Sequence, residues 1–509
     1  MHNKSAEQIY TLLEGRRYQY VERARACSRL TLPYVMPDAG FGSHSRLETP
    51  FASVAARGVN TLASKLLLAL LPPNAPLFRL NVNTYALKQE GAPDELISSI
   101  DTSLQQVEDA VMDEISRESY RSSLHEALKH IIITGNALVY MPDDGGMRVF
   151  HLDRYVVDRD PMGNVIYIAT KENIAHSALP PEIKDLVGHE GSPDADVDLY
   201  TAVCRKENGW HVFQDINGVR VPNSEGFYSL DKNPYIPLRF SRIDGEAYGR
   251  SYVEEYLGDV QSLEALTKAI VEGSAAAAKV LFLVNPNGTT RAKTLAESPN
   301  GTITQGNAND VSVLQLNKFN DFRVAQETMN TIKERLGQAF LLTSGVVRQA
   351  ERVTAEEIRM LSLEIESSLG GLYSLLATEL QLPMVTRLMA VMNKKKSLPK
   401  LPDGVINPVI ITGVEALGRG HDLQKLDMFL AGAGQVVGPQ AVAQYINVAE
   451  YFKRRATSLG IKTVGLVKTE EQLQLEQQQA LQMQMAEKLG PAGIKALSDQ
   501  AQQQQPRSE

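Results

Sequence analysis

Apolar residues recur at helical spacing over most of the first 133 positions, then switch to strand-like alternation for about a hundred residues, then return to helical spacing. Residues 5–35 read as a helix with scattered charge that ends near Pro33. Residues 53–71 form a second, apolar on most faces through Val54, Ala55, Val59, Leu62, Leu66, Leu67 and Leu70, a pattern that suits burial among several neighbours. Asp94 to Glu118 is amphipathic and acidic, with Leu96, Ile97, Ile100, Leu104, Val107 and Val111 on one face, and Ser123 to Ile133 is a further helix closed by Gly135. From Ala137 to about Ser241, β-branched and aromatic runs alternate with turns at Asp160-Pro161-Met162-Gly163-Asn164, Glu207-Asn208-Gly209 and Asn217-Gly218, which predicts an antiparallel sheet module.

A helix is expected from Ser251 to about Ala278, with Val253, Tyr256, Leu257, Val260, Leu263, Ile270 and Val271 on one face. A strand at Val280–Val284, a turn at Asn285-Pro286-Asn287-Gly288, a Gly/Asn-rich stretch and a strand at Val311–Leu316 follow, and then a helix from about Asp321 to Leu342. After a polar loop, Thr343–Val353, the run Thr354-Ala355-Glu356-Glu357 reads as an N-cap and acidic first turn opening a helix to about Asn393, bent or loosened at Gly370-Gly371 and Pro383. Leu398–Thr412 is extended and proline-rich, suited to return to an earlier sheet; 421–466 is helical; the tail from Glu470 is glutamine-rich and its last dozen residues are expected to be disordered.

Length, 509 residues, implies three or four units, and 43% hydrophobic with 22% charged residues is ordinary for a folded, water-exposed protein. Two distant cysteines, Cys27 and Cys204, point to a reducing compartment, and the N-terminus lacks a signal-peptide pattern, so synthesis in the cytoplasm is expected. The early apolar run Leu62–Pro73 is about a dozen residues, short of the ~20 a bilayer span needs, so no membrane association is expected. A net charge of −8 argues against a tight nucleic-acid binder while leaving room for a surface along which DNA slides.

Signs of catalysis and of cofactors are missing. There is no phosphate-cradling Gly-x-x-x-x-Gly-Lys loop, no dinucleotide fingerprint and no nucleophile elbow. His125 and His130 are five apart, on different helix faces, and read as ordinary histidines. Asp194, Asp196 and Asp198 begin like a calcium loop, but Leu199 occupies the glycine position, and a solvated acidic turn fits better. The expectation is a non-enzymatic protein with no cofactor and no metal.

The block 251–393 is the informative one. The outgoing helix ends in Glu272-Gly273-Ser274-Ala275-Ala276-Ala277-Ala278, small side chains that let helices approach closely. That close approach serves either a neighbouring copy around a ring axis or a tight bend within the chain. Loop 343–353 is likewise either a simple helix connection or a projection that brings Arg348 and Arg352 to DNA phosphates, moderated by Glu351.

Four runs carry a family resemblance: Ala56-Arg57-Gly58-Val59-Asn60-Thr61-Leu62-Ala63-Ser64-Lys65-Leu66; Asp244-Gly245-Glu246-Ala247-Tyr248-Gly249-Arg250-Ser251-Tyr252-Val253-Glu254-Glu255-Tyr256-Leu257-Gly258-Asp259; Glu351-Arg352-Val353-Thr354-Ala355-Glu356-Glu357-Ile358-Arg359; and Glu379-Leu380-Gln381-Leu382-Pro383. With them, nearly the whole chain resembles the portal, or head-to-tail connector, family of short-tailed podovirus-type phages with an autographivirus-like plan. The resemblance implies an α+β, mainly helical portal fold that forms a dodecameric ring at one capsid vertex, assembled in the host cytoplasm and carried in the virion. By position it implies a wing at 1–250 with an antiparallel β module, stem helices at 251–278 and 321–342, a small α/β clip at 279–320 and a tunnel loop at 343–354. It further implies a bent wing helix at 355–394, a wing return at 395–418, a helical crown at 419–490 and a disordered tail at 491–509. The implied partners are eleven other copies, the major capsid and scaffolding proteins, the terminase large subunit, the tail adaptor or tail tube, internal core proteins, and double-stranded DNA held without regard to sequence. The residues assigned on this basis are Thr343, Ser344, Arg348, Gln349 and Arg352 for DNA contact; Val253, Tyr256, Leu257, Val260, Leu263, Gly273, Ala275 and Ala276 for packing between stems; and Asn287, Arg291, Lys293 and Asn307 for clip contacts. An enzyme with an unfamiliar site and a channel-less tail adaptor stand as the competing readings.

Overall fold

The computed structural model describes residues 4–41, 45–72, 77–82, 94–117, 120–187, 196–277, 281–314, 319–342, 360–398 with breaks at 361–363, 366 and 370, 406–410, and short stretches between 426 and 455. The chain divides into two units, Met1–Gly413 and Val414–Glu509. In the second, residues 426–436 are helical, and the Tyr451 hydroxyl donates to Asp427 at 2.7 Å.

In the first unit, helix α1 (Ala6–Arg29) opens with a capping box: the Ser5 hydroxyl accepts from the Gln8 amide and the Gln8 side chain accepts from the Ser5 amide, both at 3.2 Å. It ends earlier than its sequence pattern suggests. Hydroxyls of Ser28 and Thr31 bond to the carbonyls of Leu32 and Cys27, each at 2.8 Å, and turn the chain before Pro33. Helices α2 (Val54–Leu70), α3 (Asp94–Arg117) and α4 (Tyr120–Thr134) share the largest core cluster, where Val59, Leu62, Leu66, Val107, Val111 and Ile131 are fully covered. Gly135 closes α4 at φ +77°, and a Cβ there would lie 2.6 Å from the backbone of Arg250, so only glycine fits.

The sheet module is antiparallel throughout. Strands β2 (Asn136–Tyr140), β3 (Arg148–Phe150) and β10 (Tyr235–Arg239) form one sheet in the order β10-β2-β3. Strands β4 (Tyr155–Arg159), β5 (Val165–Ala175), β6 (Asp196–Lys206), β7 (Gly209–Ile216) and β8 (Val219–Arg220) run in sequence order in a second, with β9 (Gly226–Tyr228) also on β7. The three turns foreseen at Asp160–Asn164, Asn208-Gly209 and Asn217-Gly218 are the β4–β5, β6–β7 and β7–β8 hairpins. Asn217 and Gly218 sit at φ +48° and +76°, the left-handed pair that a two-residue hairpin requires. α1 packs on this sheet through Ile9, Tyr10 and Leu13 against Val156, Ala169 and Ala202. Asp194 lies outside the described residues; Asp196 and Asp198 fall on β6, where Asp198 pairs with Lys171 at 2.7 Å.

The extended segment after residue 398 returns as β13 (Ile406–Ile410) and pairs antiparallel with β1 (Phe78–Val82). The helix expected over 354–393 is not one regular helix where it is described. A short segment, Leu372–Leu376, leads into a wide π turn at Ala377–Gln381 and then a helix, Leu382–Lys394, with Pro383 in its first turn. Pro383 has no N–H and would crowd the carbonyl four residues back, at Glu379; the widened turn clears it. The span Leu372–Lys394 is long and apolar enough to cross a bilayer by length and composition, yet Met384, Val385 and Leu388 lie in the core, and the buried Arg387 donates to Met141 O at 3.1 Å.

Candidate assembly surface

The helix pair rises from the body at Ser251. Its hydroxyl accepts from the Glu254 amide at 3.2 Å and donates to Ile132 O at 3.0 Å, so the cap of a short helix, α5 (Tyr252–Glu255), is tied to α4. Helix α6 (Leu257–Ala277) leads out and α7 (Phe319–Ala339) leads back. At their root Tyr252, Tyr256 and Phe340 form an aromatic cluster, with Tyr252 5.2 Å from Tyr256 and 5.5 Å from Phe340. The Tyr252 hydroxyl donates to Ala339 O at 2.7 Å, joining exit and re-entry.

The return helix ends with Leu341 at φ +54°. The Leu342 amide reaches back to Gly337 O at 2.7 Å and the Leu341 amide to Gln338 O at 3.1 Å, the paired bonds of a left-handed helix stop. A leucine there costs about 1 kcal/mol of backbone strain. Its burial and the Lys65 ammonium, which donates to Leu341 O at 2.9 Å, hold it.

Several of the side chains assigned to packing between stems are covered within this chain. Val253, Val260 and Leu263 are 0–2% exposed and belong to this chain's own core, where they anchor the hairpin to the body, while Tyr256 and Leu257 pack against that core and stay partly exposed. Gly273 is likewise spent within the chain: a Cβ on it would come within 2.7 Å of the Phe322 ring on α7. Ala275 and Ala276 are exposed, as are Val271, which the sequence pattern put on the apolar face, and Val324, which it did not single out. The outer half of the hairpin thus carries apolar and small side chains that are exposed among the described residues.

Beyond it, β11 (Leu281–Val284) and β12 (Val311–Leu314) form a two-stranded ribbon with Phe282 63% and Leu283 52% exposed. A two-stranded ribbon is marginal alone. Here Asp310 fastens the loop above it, accepting from the Thr289 and Thr290 amides at 2.7 and 3.0 Å and from both hydroxyls. The Thr290 and Thr289 amides and the two hydroxyls hold its carboxyl below the usual carboxylate range. Asn287, Arg291 and Lys293 are exposed; Asn307 is also exposed, but its side chain caps a local turn by accepting from the Asn309 amide at 3.1 Å. Thr343, Ser344, Arg348, Gln349 and Arg352 all lie outside the described residues.

Three further groups with displaced acidity sit in cores. Burial pushes the Cys27 thiol up to about 12 and Cys204 to about 11, and pulls His130 down to about 3. Sequence spacing put His125 and His130 on different helix faces; in the fold the His130 ring sits edge-on to His151 at 4.7 Å, and His125 bonds the Ser64 hydroxyl at 3.2 Å. Glu126, His130 and His151 bring ligand-type atoms within 4.8 Å of one another. That is wide beside the ~3.3 Å that tetrahedral zinc imposes on neighbouring ligands about 2.0 Å from the metal.

Comparison with known proteins matches this chain over residues 3–466 to the model of the family described as bacteriophage head to tail connecting protein. It is 41% identical to the portal protein of Escherichia phage T7 over 491 residues, 94% of this chain and 91% of that one. It is 42% identical to the portal protein of Enterobacteria phage T3, over 97% and 94% of the two chains. Among solved structures, the neck of an empty gene transfer agent particle aligns at 11% identity and a TM-score of 0.38, covering 86% of this chain and 94% of that one. Matches that run almost end to end at two-fifths identity leave one reading: the chain belongs to the bacteriophage head-to-tail connecting protein family.

Proposed function

We propose that twelve copies of this chain close a ring whose channel passes double-stranded DNA into the head and out again, without catalysis by the ring itself. The place of the chain in the virion, at the portal vertex joining head and tail, is that of its family. The observation that carries the ring is the helix hairpin: its root is buried in the body, while Val271, Ala275, Ala276 and Val324 farther out, and Phe282 and Leu283 on the ribbon, are exposed among the described residues. Side-by-side copies would cover those faces and line a pore with paired helices.

In this reading the ribbon and its loop, with Asn287, Arg291 and Lys293, meet the terminase large subunit during packaging and a tail adaptor afterwards. The body meets capsid and scaffolding proteins, and internal core proteins lie on the head side. Residues 343–354 project into the channel, where Arg348 and Arg352, helped by Thr343, Ser344 and Gln349, touch phosphates weakly and without sequence preference. The net charge of −8 suits a wall on which DNA does not stick.

Native mass measurement with end-on imaging tests the ring; a lone subunit or an assembly without a central hole would end the proposal. Arg348→Ala combined with Arg352→Ala is expected to leave the ring intact and weaken DNA retention, and failure of ring formation would make the loop structural instead.

A further inference from the structure

A cavity of about 820 Å³ opens in the first unit where the β4–β5 turn, strand β10, the π turn and the helix after it meet. Its charge is unbalanced. Arg159, Arg205, Lys232, Arg239 and Arg242 line it against only Asp231 and Glu379, an excess of three positive charges.

Two of those guanidinium groups are buried beneath its floor and share one carboxylate. Arg239, 3% exposed at its side chain, grips Glu379 through Nε at 3.1 Å and through Nη2, and its Nη1 has no partner. Arg159 lies 3.8 Å from the same carboxylate and spends its N–H groups on the carbonyls of Ala247, Gly163 and Pro237 at 3.0–3.1 Å. Burial, only partly offset by Glu379, pulls Arg159 down to about 10. A buried cation without a counter-charge is costly, and the deficit is met most simply from the cavity. At the mouth, the exposed Arg242, whose Nη2 donates to Met162 O, and the half-buried Arg205 and Lys232 offer their remaining donors to whatever enters.

The rest of the wall is of a different kind. Leu382, Pro383, Met389 and Ala390 form an apolar side, and Trp210 and Tyr235 present aromatic rings. The volume lies within the ~300–1,000 Å³ of ordinary small-molecule sites. A singly charged carboxylate would cancel a third of the excess charge; a phosphate monoester, close to doubly charged at neutral pH, cancels about twice as much and is met well by planar guanidinium donors. The apolar and aromatic wall then receives an organic group, not bare water.

We infer that this cavity binds a phosphate monoester carrying an aromatic or apolar group, a mononucleotide being the simplest example, with Arg239, Arg205 and Arg242 at the phosphate and Trp210, Met389 and Ala390 around the organic part. Nothing in this inference depends on ring formation or on DNA conduction.

Trp210 is the only tryptophan in the chain, so its fluorescence reports on the cavity directly. The full-length protein is titrated with adenosine monophosphate, with inorganic phosphate and with sodium chloride, the first two at constant ionic strength. A saturable change with adenosine monophosphate, at least tenfold tighter than with phosphate and absent with chloride, is expected. The double variant Arg205→Ala/Arg242→Ala should weaken it at least tenfold. Ala390→Phe, which fills the apolar side without changing charge, should do the same while the thermal melt stays in place. No saturable signal, equal affinity for bare phosphate, or a response unchanged in Ala390→Phe would each overturn the assignment.

Discussion

Gly273 tests whether the close helix approach in the hairpin is made within the chain or between chains. Replacing a helix-interior glycine by alanine ordinarily stabilises by about 0.8–1.0 kcal/mol. Here the new methyl would lie 2.7 and 2.8 Å from Cζ and Cε1 of Phe322, closer than real contacts allow. Overpacking of this kind costs about 1–3 kcal/mol. Phe322 is only half-buried and the clash is with the tip of its ring, so the lower end applies. Gly273→Ala alone should therefore be neutral or destabilising by about 1 kcal/mol. In a Phe322→Ala background the obstacle is gone, and the same substitution should stabilise by about 1 kcal/mol, a coupling of about 1–2 kcal/mol between the two sites. Thermal denaturation of all four proteins at one concentration, with assembly mass recorded alongside, reads this directly. If Gly273→Ala has the same sign in both backgrounds, or breaks the assembly whether or not Phe322 is present, the glycine serves a neighbouring copy and the intramolecular account is wrong.

Three further outcomes follow from the contacts described. Asp310→Ala should speed hydrogen exchange at the Thr289 and Thr290 amides while leaving the main melt unchanged. Because the Asp310 carboxyl is held below its ordinary value, its contribution is fully present above about pH 4. It is lost only as pH falls through the depressed value, so protection that disappeared near neutral pH would contradict the assignment. Lys65→Met should cost about 1–3 kcal/mol, since it strips a partner from Leu341 O and from Glu364, 3.5 Å away and partly solvated; an unchanged denaturation midpoint would show that this ammonium does not hold the turn. Cys27 and Cys204, buried and with thiols pushed up to about 12 and 11, should resist alkylation at pH 8 until denaturant is added, and prompt labelling of the native protein would refute the burial.

Local features were legible because local chemistry decides them. Asn217-Gly218 can adopt its backbone angles at little cost, so the hairpin was visible in two letters, and the alternation on either side gave the strands. The apolar stripe Val253–Leu263 was equally plain as a stripe. What it packs against was not, because a buried face looks the same whether the cover comes from Val59 and Phe340 of the same chain or from a neighbour. Long-range ionic pairing left no trace in spacing: Glu379 meets Arg239 from 140 residues away, and the π turn presenting it arises from the need of Pro383 for room. Val271 falls by spacing on the same apolar face as Val253 and is 49% exposed, and the exposed Val324 escaped notice because a helix face is called polar or apolar by its majority and it is a minority position.

The bond from the Tyr252 hydroxyl to Ala339 O has a further consequence. It fixes the doorway through which the chain leaves the body and comes back, so residues between those two points form an excursion whose ends are already joined. Such an excursion can be lengthened or trimmed by matched helical turns without disturbing the interior it springs from. Relatives that share the body can therefore differ in reach, and a designer wishing to change how far this protein extends has a natural place to cut.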